Sequence, residues 1–210
     1  MTTSKTNNTK QNVREHIIAQ ASDLFFHRGI KDVKMDDIAH EIGISKRTVY
    51  ELFADKEELL HEPLKYIHKN IHRIGRQKIR ETSNNTLDVL LTLYYIYFEM
   101  LKKANKNFFL DLKRYPKITE YQKTKEKRNS DKFKKWIQKG VKEGLFREDA
   151  NSDIILYILR RDIEHITISN EFSNYSIDEL GRSFILFYLR GIATSKGQEI
   201  IENFIKKQKQ

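Results

Sequence analysis

The apolar positions of residues 35–56 predict two short helices joined by a tight turn. In the first helix, apolar residues recur at the i, i+3, i+4 and i+7 spacing of a single helix face: Met35, Ile38, Ala39 and Ile42. Gly43 follows, and glycine tolerates the left-handed backbone that ends many helices. Ser45 is suited to cap a second helix, whose apolar positions are Val49 and Phe53. This order is typical of a DNA-binding helix-turn-helix.

The helical periodicity continues to the C-terminus, and no segment alternates cleanly as a strand does. Further helices are predicted at about residues 13–28, 56–80, 87–101, 105–114, 118–144, 152–169, 177–194 and 198–206. The segment 87–101 is apolar almost all round, which indicates a helix buried on every side. We expect an all-α fold with three parts, namely a flexible N-terminal arm (1–11), a helix-turn-helix domain (12–56) and a larger helical domain (57–210).

The composition excludes several kinds of site. The 210 residues include no cysteine, so disulfides, thiolate catalysis and cysteine-based zinc sites are excluded. The N-terminus has no apolar segment of the kind that signal peptides carry. The most apolar stretch, residues 89–101, is too short to span a bilayer. We therefore expect a soluble, cytoplasmic protein with no cofactor and no membrane partner.

The positive charge of the chain is unevenly distributed. The formal net charge is +10. Residues 1–56 hold nine Lys or Arg against eight Asp or Glu, whereas residues 102–147 hold sixteen against five. The predicted DNA-binding segment is thus not the most basic one. Basic surfaces favour nucleic acids or anionic ligands, but most of segment 102–147 is better interpreted as a solvated, lysine-rich helix surface.

The first 60 residues resemble the tetracycline-repressor (TetR) family of bacterial regulators. The matching positions are Arg14, Ile18, Ala21, Phe25, Gly29, Ile38, Ala39, Gly43, Ser45, Lys46, Thr48, Val49, Tyr50, Phe53, Lys56 and Glu57. The resemblance implies an all-α homodimer with an N-terminal DNA-binding domain and a larger ligand-binding or dimerisation domain. It also implies binding to a double-stranded DNA operator, in most members as a repressor that a small-molecule effector releases. Some members activate instead, and some have no known ligand.

Seven residues are candidates for DNA contact: Lys34, Ser45, Lys46, Arg47, Thr48, Tyr50 and Lys56. Most lie at the start of the second short helix, which is the end that enters the major groove. Arg47 occupies a position where the family often has glycine, and arginine can form a paired contact with guanine. Lys34 stands where the family usually has a Thr or Ser cap. Lys46, Tyr50, Lys34 and Lys56 are expected to hold phosphates, which fix register without reading sequence. The alternative is a solvated polar helix face.

Aromatic residues of the second domain are candidates for an effector cavity. The predicted ligand-binding residues are Tyr94, Tyr97, Phe98, Glu99, Phe108, Phe109, Arg161 and His165. Glu99 stands out because it interrupts an apolar helix, and a buried carboxylate needs a partner. That partner is either a protein arginine or a cationic or hydroxylated ligand. Ordinary core packing is the alternative for each aromatic residue.

The last two long helices carry the predicted dimer interface. The resemblance implies dimerisation through these helices, and their apolar stripes include Ile154, Ile158, Leu180, Phe184 and Tyr188. Arg161 and His165 lie on the same stripe. They are expected either to bind an anionic ligand group or, more in keeping with the resemblance, to form ion pairs at the dimer interface.

Other chemistry receives little support. His68 and His72 form an H-x-x-x-H pair, with His61 two turns earlier, but no carboxylate or cysteine completes a metal site in sequence. We therefore predict no metal site. The chain has no Gly-rich phosphate loop, no nucleophile motif and no H-E-x-x-H motif, so we do not expect an enzyme. Side chains that converge in space remain an alternative, as does a DNA-binding protein whose second domain only dimerises.

Overall fold

The computed structural model describes residues 2–207, apart from the side chains of residues 2–9, 184 and 185. Within that range the chain forms ten α-helices, which confirms the prediction of an all-α fold. They are α1 (Thr2–Arg28), α2 (Met35–Glu41), α3 (Lys46–Leu52), α4 (Lys56–Thr82), α5 (Thr86–Lys103), α6 (Lys106–Leu112), α7 (Pro116–Lys142), α8 (Ser152–Ile168), α9 (Ile177–Ile192) and α10 (Ser195–Lys207). None of them is long and apolar enough to cross a membrane.

The helix-turn-helix has the local geometry that the sequence predicts. The turn between α2 and α3 passes through Gly43, whose φ of 69° is in the left-handed region that favours glycine. The hydroxyl of Ser45 then accepts a hydrogen bond from the Thr48 N–H at 3.1 Å and caps α3. At the start of α2, the Asp37 carboxylate accepts from the Lys34 N–H at 2.7 Å, since lysine has no acceptor of its own.

The N-terminal segment differs from the prediction of an arm. The structure gives residues 2–11 the backbone of helix α1, which continues to Arg28. No proline or glycine occurs before Gly29 to end the helix early. The Gln11 amide also donates to the Glu15 carboxylate at 2.8 Å, a pair four residues apart that supports a helix.

The chain divides into two compact units. The first unit comprises Met1–His72 and Lys103–Gln122. It holds α1–α3, the first part of α4, α6 and the start of α7. Its core consists of apolar residues from all of these helices, including the fully buried Phe25, Ile38, Val49, Phe53, Leu60 and Ile118. The helix-turn-helix is therefore packed on more of the chain than the predicted domain of residues 12–56.

The second unit comprises Arg73–Lys102 and Lys123–Gln210. Within it, α5 is surrounded as predicted, because no residue from Thr86 to Leu101 is exposed. Tight helix packing occurs at Gly181 of α9, where an added Cβ would lie 2.7 Å from the Phe98 ring and 2.9 Å from the Tyr94 hydroxyl. The N-terminus of α5 is bound by Glu143, whose carboxylate accepts from the Thr86 N–H at 2.9 Å.

Candidate DNA-binding surface and ligand cavity

The N-terminal part of α3 presents an exposed polar surface. Lys46, Arg47 and Tyr50 are exposed, and the Arg47 side chain has the largest exposed fraction of the three, 88%. Val49 faces the other way and is fully buried in the core of the first unit. The buried side of α3 thus fixes the helix, while its first turn leaves side chains available for an external partner.

The two cations of this surface have weak partners on the same chain. Lys46 contacts the Asp36 carboxylate of α2 at 2.8 Å, and that hydrogen bond raises the pKa of Lys46. Arg47 contacts Glu51, four residues along α3, also at 2.8 Å. Exposed ion pairs of this kind are weak, because water screens them. Both cations can therefore exchange these carboxylates for phosphates or base edges at little cost.

The remaining predicted DNA-contact residues differ in how they are placed. The hydroxyls of Ser45 and Thr48 lie 2.9 Å apart, and the Lys46 ammonium lies 5.8 Å from the centre of the Tyr50 ring. Lys34 is exposed at the start of α2. Ser45, Thr48, Lys46 and Tyr50 therefore lie on the same part of α3 as Arg47.

Lys56 is more enclosed than the sequence suggested. It is half-buried, with its ammonium 3.4 Å from the Lys31 carbonyl oxygen and 5.8 Å from the centre of the Phe25 ring. Burial lowers the pKa of Lys56. Its side chain is thus engaged in the packing of the first unit, in addition to lying at the start of α4.

Sequence reasoning missed the polar residues that join α6 to the end of α1. Asp111 is only 4% exposed and accepts a hydrogen bond from the Lys31 N–H at 2.6 Å. The Asn105 N–H donates to the Phe26 carbonyl at 2.7 Å, and the Asn105 amide donates to the His27 carbonyl at 3.3 Å. The only signal in the sequence was a lone acidic residue within an apolar short helix.

The second unit contains a cavity of about 290 Å³ among α5, α9 and α10. Its lining residues are Tyr94, Tyr95, Glu99, Lys102, Asp178, Arg182, Leu186, Phe204 and Ile205. The cavity therefore combines charged groups with aromatic and aliphatic walls, as small-molecule sites commonly do.

The predicted ligand-binding aromatic residues are divided between the cavity of the second unit and the core of the first. Tyr94 lines the cavity, and Phe98 is buried beside it with the two ring centres 4.9 Å apart. Tyr97 is half-buried, and its ring meets the Phe98 ring edge-on. In contrast, Phe108 and Phe109 pack in the core of the first unit, because α6 lies against α1. The structure does not bring those two residues together with the cavity.

Glu99 has a protein partner at the edge of the cavity. The Lys102 ammonium contacts the Glu99 carboxylate at 2.5 Å and the Asp178 carboxylate at 2.6 Å. These two hydrogen bonds raise the pKa of Lys102. Glu99 is half-buried and paired with a lysine, so it is neither the fully buried carboxylate nor the arginine pair that its sequence position suggested. Burial raises the pKa of Tyr94 to about 12, so its hydroxyl stays protonated at neutral pH.

Arg161 and His165 lie outside this cavity. Arg161 is exposed and borders a second hollow of about 570 Å³ between α7 and α8. In that hollow, Arg160 donates to the Glu126 carbonyl and the Ser130 hydroxyl, each at 2.7 Å. His165 contacts the Glu171 carboxylate at 2.7 Å.

The predicted dimer face contains both exposed and enclosed residues. Ile154 is 57% exposed on α8, whereas Ile158 is half-buried and Leu180 is buried within its own chain. Tyr188 of α9 donates a short hydrogen bond to Asp162 of α8, and this bond joins the two helices. The side chain of Phe184 lies outside the described residues. Two further exposed aromatics, which were not predicted, are Tyr157 at 71% and Phe187 at 72%.

The histidines of α4 contact a tyrosine. His61 meets the Tyr121 ring edge-on, and His68 stacks on the same ring and lies 3.3 Å from its hydroxyl. Burial lowers the pKa of His61. Among the residues that the structure describes, no group of three or more His, Cys, Asp or Glu side chains is placed to hold a metal ion.

Comparison with known proteins gives consistent matches. Residues 17–62 match the family model described as bacterial regulatory proteins, tetR family. The chain is 27% identical over 195 residues to the HTH-type transcriptional repressor KstR2 of Mycolicibacterium smegmatis, which covers 89% of this chain and 93% of that protein.

Solved structures share the same fold. The ketosteroid transcriptional regulator KstR2 of Mycobacterium tuberculosis superposes with a TM-score of 0.62 at 23% identity, covering 87% of this chain and 95% of that one. A putative transcriptional regulator from Saccharomonospora viridis, in complex with choline, gives a TM-score of 0.72 at 22% identity over 88% and 99% of the two chains. The helix-turn-helix segment thus matches the tetR family of bacterial regulatory proteins, and the described helices share the fold of the two solved regulators.

Proposed function

We propose that this protein is a transcriptional repressor that binds a near-palindromic DNA operator as a homodimer and leaves it when a small-molecule effector binds. The observation that carries the proposal is the exposed first turn of α3. The opposite side of this helix is buried through Val49, which fixes α3 within the helix-turn-helix. Similarity to the repressor KstR2 over 93% of that protein's length supports the repressor role.

Arg47 is the proposed base-reading residue. Its guanidinium is 88% exposed and is held only by Glu51 on the same helix turn. A guanidinium can donate two parallel hydrogen bonds to guanine O6 and N7 in the major groove. Lys46 and Tyr50 lie near it on α3, Lys34 is exposed at the start of α2, and all three are proposed to contact phosphates. Lys56 is proposed to support DNA binding mainly by fixing the start of α4.

The proposed dimer interface lies on α8 and α9. Ile154 and Tyr157 are exposed three residues apart on α8, so they share a helix face, and Phe187 is exposed on α9. Exposed apolar side chains grouped on packed helices are typical of a subunit interface. Two-fold symmetry in the protein then requires near-palindromic DNA, with half-sites about 34–36 Å apart or a multiple of that distance.

The cavity of the second unit favours an effector-responsive regulator over a purely dimerising domain. An open cavity of about 290 Å³ lined by charged and aromatic side chains is large enough for a small molecule. A second domain that served only for dimerisation would have no need of such a cavity. An effector would lower operator affinity only by its differential affinity for the DNA-bound and free conformations.

A reporter assay tests the regulatory role. DNA selected by the purified protein is placed between a constitutive bacterial promoter and a reporter gene, and the protein is expressed from a second plasmid. Repression is expected with the intact chain and is expected to be lost with Arg47→Ala. An increase in reporter expression would instead indicate an activator.

A further inference from the structure

We infer that the cavity among α5, α9 and α10 binds a small carboxylic acid with an apolar body, and that Arg182 and Tyr94 hold its carboxylate. This inference rests on the proposed function, because it names the chemical class of the proposed effector. It depends on which polar groups of the cavity wall are already engaged and which are not.

The acceptors of the cavity are already engaged. Glu99 and Asp178 supply the two carboxylates, and the Lys102 ammonium contacts them at 2.5 and 2.6 Å. Lys102 is itself satisfied by the same contacts. A cationic ligand would have to compete with Lys102 for both carboxylates, so the wall offers little to an ammonium group.

The donors of the cavity are not engaged in the same way. Arg182 makes a single long hydrogen bond, from Nε to the Asp178 carbonyl at 3.3 Å. Within the part of the chain that the structure describes, its guanidinium pairs with no carboxylate. A guanidinium has five N–H donors and binds a carboxylate through two of them at once.

Tyr94 supplies a second donor next to Arg182. Its hydroxyl lies against the backbone of Gly181, where an added Cβ would approach it to 2.9 Å. Among the described side chains it has no hydrogen-bond partner. Gly181 is the residue before Arg182 on α9, and Tyr94 and Arg182 both line the cavity. Arg182 is exposed at the cavity, so its guanidinium can exchange water for an acceptor that enters beside Tyr94.

The remaining wall residues indicate that the ligand has an apolar body. Leu186, Phe204, Ile205 and the Tyr95 ring are apolar. Phe204 and Ile205 come from α10, so the last helix closes one side of the cavity. A volume of about 290 Å³ suits a small molecule rather than a peptide. An acid with a medium-length hydrocarbon chain combines the acceptor head and the apolar body that these walls require.

Calorimetric titration of the full-length protein tests the inference with three matched probes, octanoate, octan-1-ol and octylamine. Octanoate is expected to bind most tightly. Arg182→Gln should weaken octanoate binding by about tenfold or more, since a charge-assisted pair is lost. Tyr94→Phe should weaken it severalfold. Arg128→Gln is the control, because it removes one exposed arginine of the same unit that does not line the cavity.

The outcomes separate this inference from the proposed function. Undetectable octanoate binding, equal binding of the three probes, or an unchanged affinity in Arg182→Gln would overturn the inference. Each variant is also tested for operator binding without any probe, and unchanged binding shows that it is folded. If Arg182→Gln does not fold, the octanoate affinity of Tyr94→Phe decides, and an affinity equal to the parent's would overturn the inference. If octanoate binds through Arg182 but leaves operator affinity unchanged, the cavity assignment stands and the proposed effector response fails.

Discussion

Asp111 accepts a hydrogen bond from the backbone N–H of Lys31 at 2.6 Å, although the two residues are 80 positions apart in the chain. Lys31 lies in the turn that leads from α1 to α2, and Asp111 lies on α6. Because Asp111 is 4% exposed, the bond is shielded from water. A single carboxylate therefore fixes the approach to the helix-turn-helix from a helix that the sequence assigned to the other domain.

Replacing Asp111 should destabilise the first unit. Asp111→Ala leaves the Lys31 N–H without its acceptor, and hydrogen bonds to charged groups contribute about 1.5–3 kcal/mol. Asp111→Asn keeps an acceptor and should lower the free energy of unfolding by less. Chemical denaturation followed by circular dichroism measures the free energy of unfolding. Asp131→Ala, at an exposed position on α7, is the control and should change stability by no more than about 0.5 kcal/mol.

Arg47→Ala should relax the preference for one base pair in each half-site. Loss of a paired contact to guanine is worth about 1–3 kcal/mol of discrimination. Lys46→Ala, one residue earlier, removes a proposed phosphate contact. It should lower the affinity for all DNA sequences alike and reduce the salt dependence of binding. Fluorescence anisotropy on single-base operator variants measures both effects. Identical sequence profiles for Arg47→Ala and the parent would exclude Arg47 as a base reader.

The double substitution Tyr157→Glu with Phe187→Glu should give monomers. Both aromatic rings are more than two-thirds exposed, at 71% and 72%, so charges there should not disturb the core of the subunit. Introduced charges would have to be desolvated in an interface, which is costly. Sedimentation velocity measures the assembly state. Tyr66→Glu on α4, 41% exposed, is the matched control and should remain dimeric. A dimeric double variant would place the interface elsewhere.

The Glu143 carboxylate should make stability depend on acidic pH. Burial alone would raise its pKa, but the hydrogen bond from the Thr86 N–H and the nearby Lys139 outweigh burial and hold the pKa below its ordinary value of 4.5. The stabilisation is therefore present above pH 4.5 and is lost as the pH falls through the lower pKa of the folded state. At pH 7, Glu143→Gln should lower the free energy of unfolding by about 1 kcal/mol. The difference from the parent should shrink towards pH 3 in urea titrations.

Local patterns in the sequence predicted the helices and most of their ends, with the start of α1 as the exception. The Gly43 turn and the Ser45 cap depend on neighbouring residues alone, so spacing was sufficient. Burial of Phe108 was also predictable from its apolar character. Its neighbours were not, because it packs against Phe26, which is far from it in the sequence. That Phe108 and Tyr94 belong to different compact units is thus a tertiary property, which periodicity does not contain.

The polar residues of the cavity illustrate the same limit. The position of Glu99 in an apolar helix predicted that it needs a partner, and the structure supplies Lys102 three residues later. The second carboxylate on Lys102 comes from Asp178, on a helix more than seventy residues away. Only the packing of α5 against α9 could reveal that arrangement, and hence the unused donors of Arg182 and Tyr94.

Selection of binding sites from random double-stranded DNA tests the central claim most directly. The full-length protein is incubated with a random library, and bound fragments are recovered and sequenced through successive rounds. An enriched near-palindromic motif is expected, with half-sites separated by about 10 base pairs or a multiple of that spacing. One position per half-site should lose its preference in Arg47→Ala. Recovery of no enriched half-site by the folded protein would contradict the account.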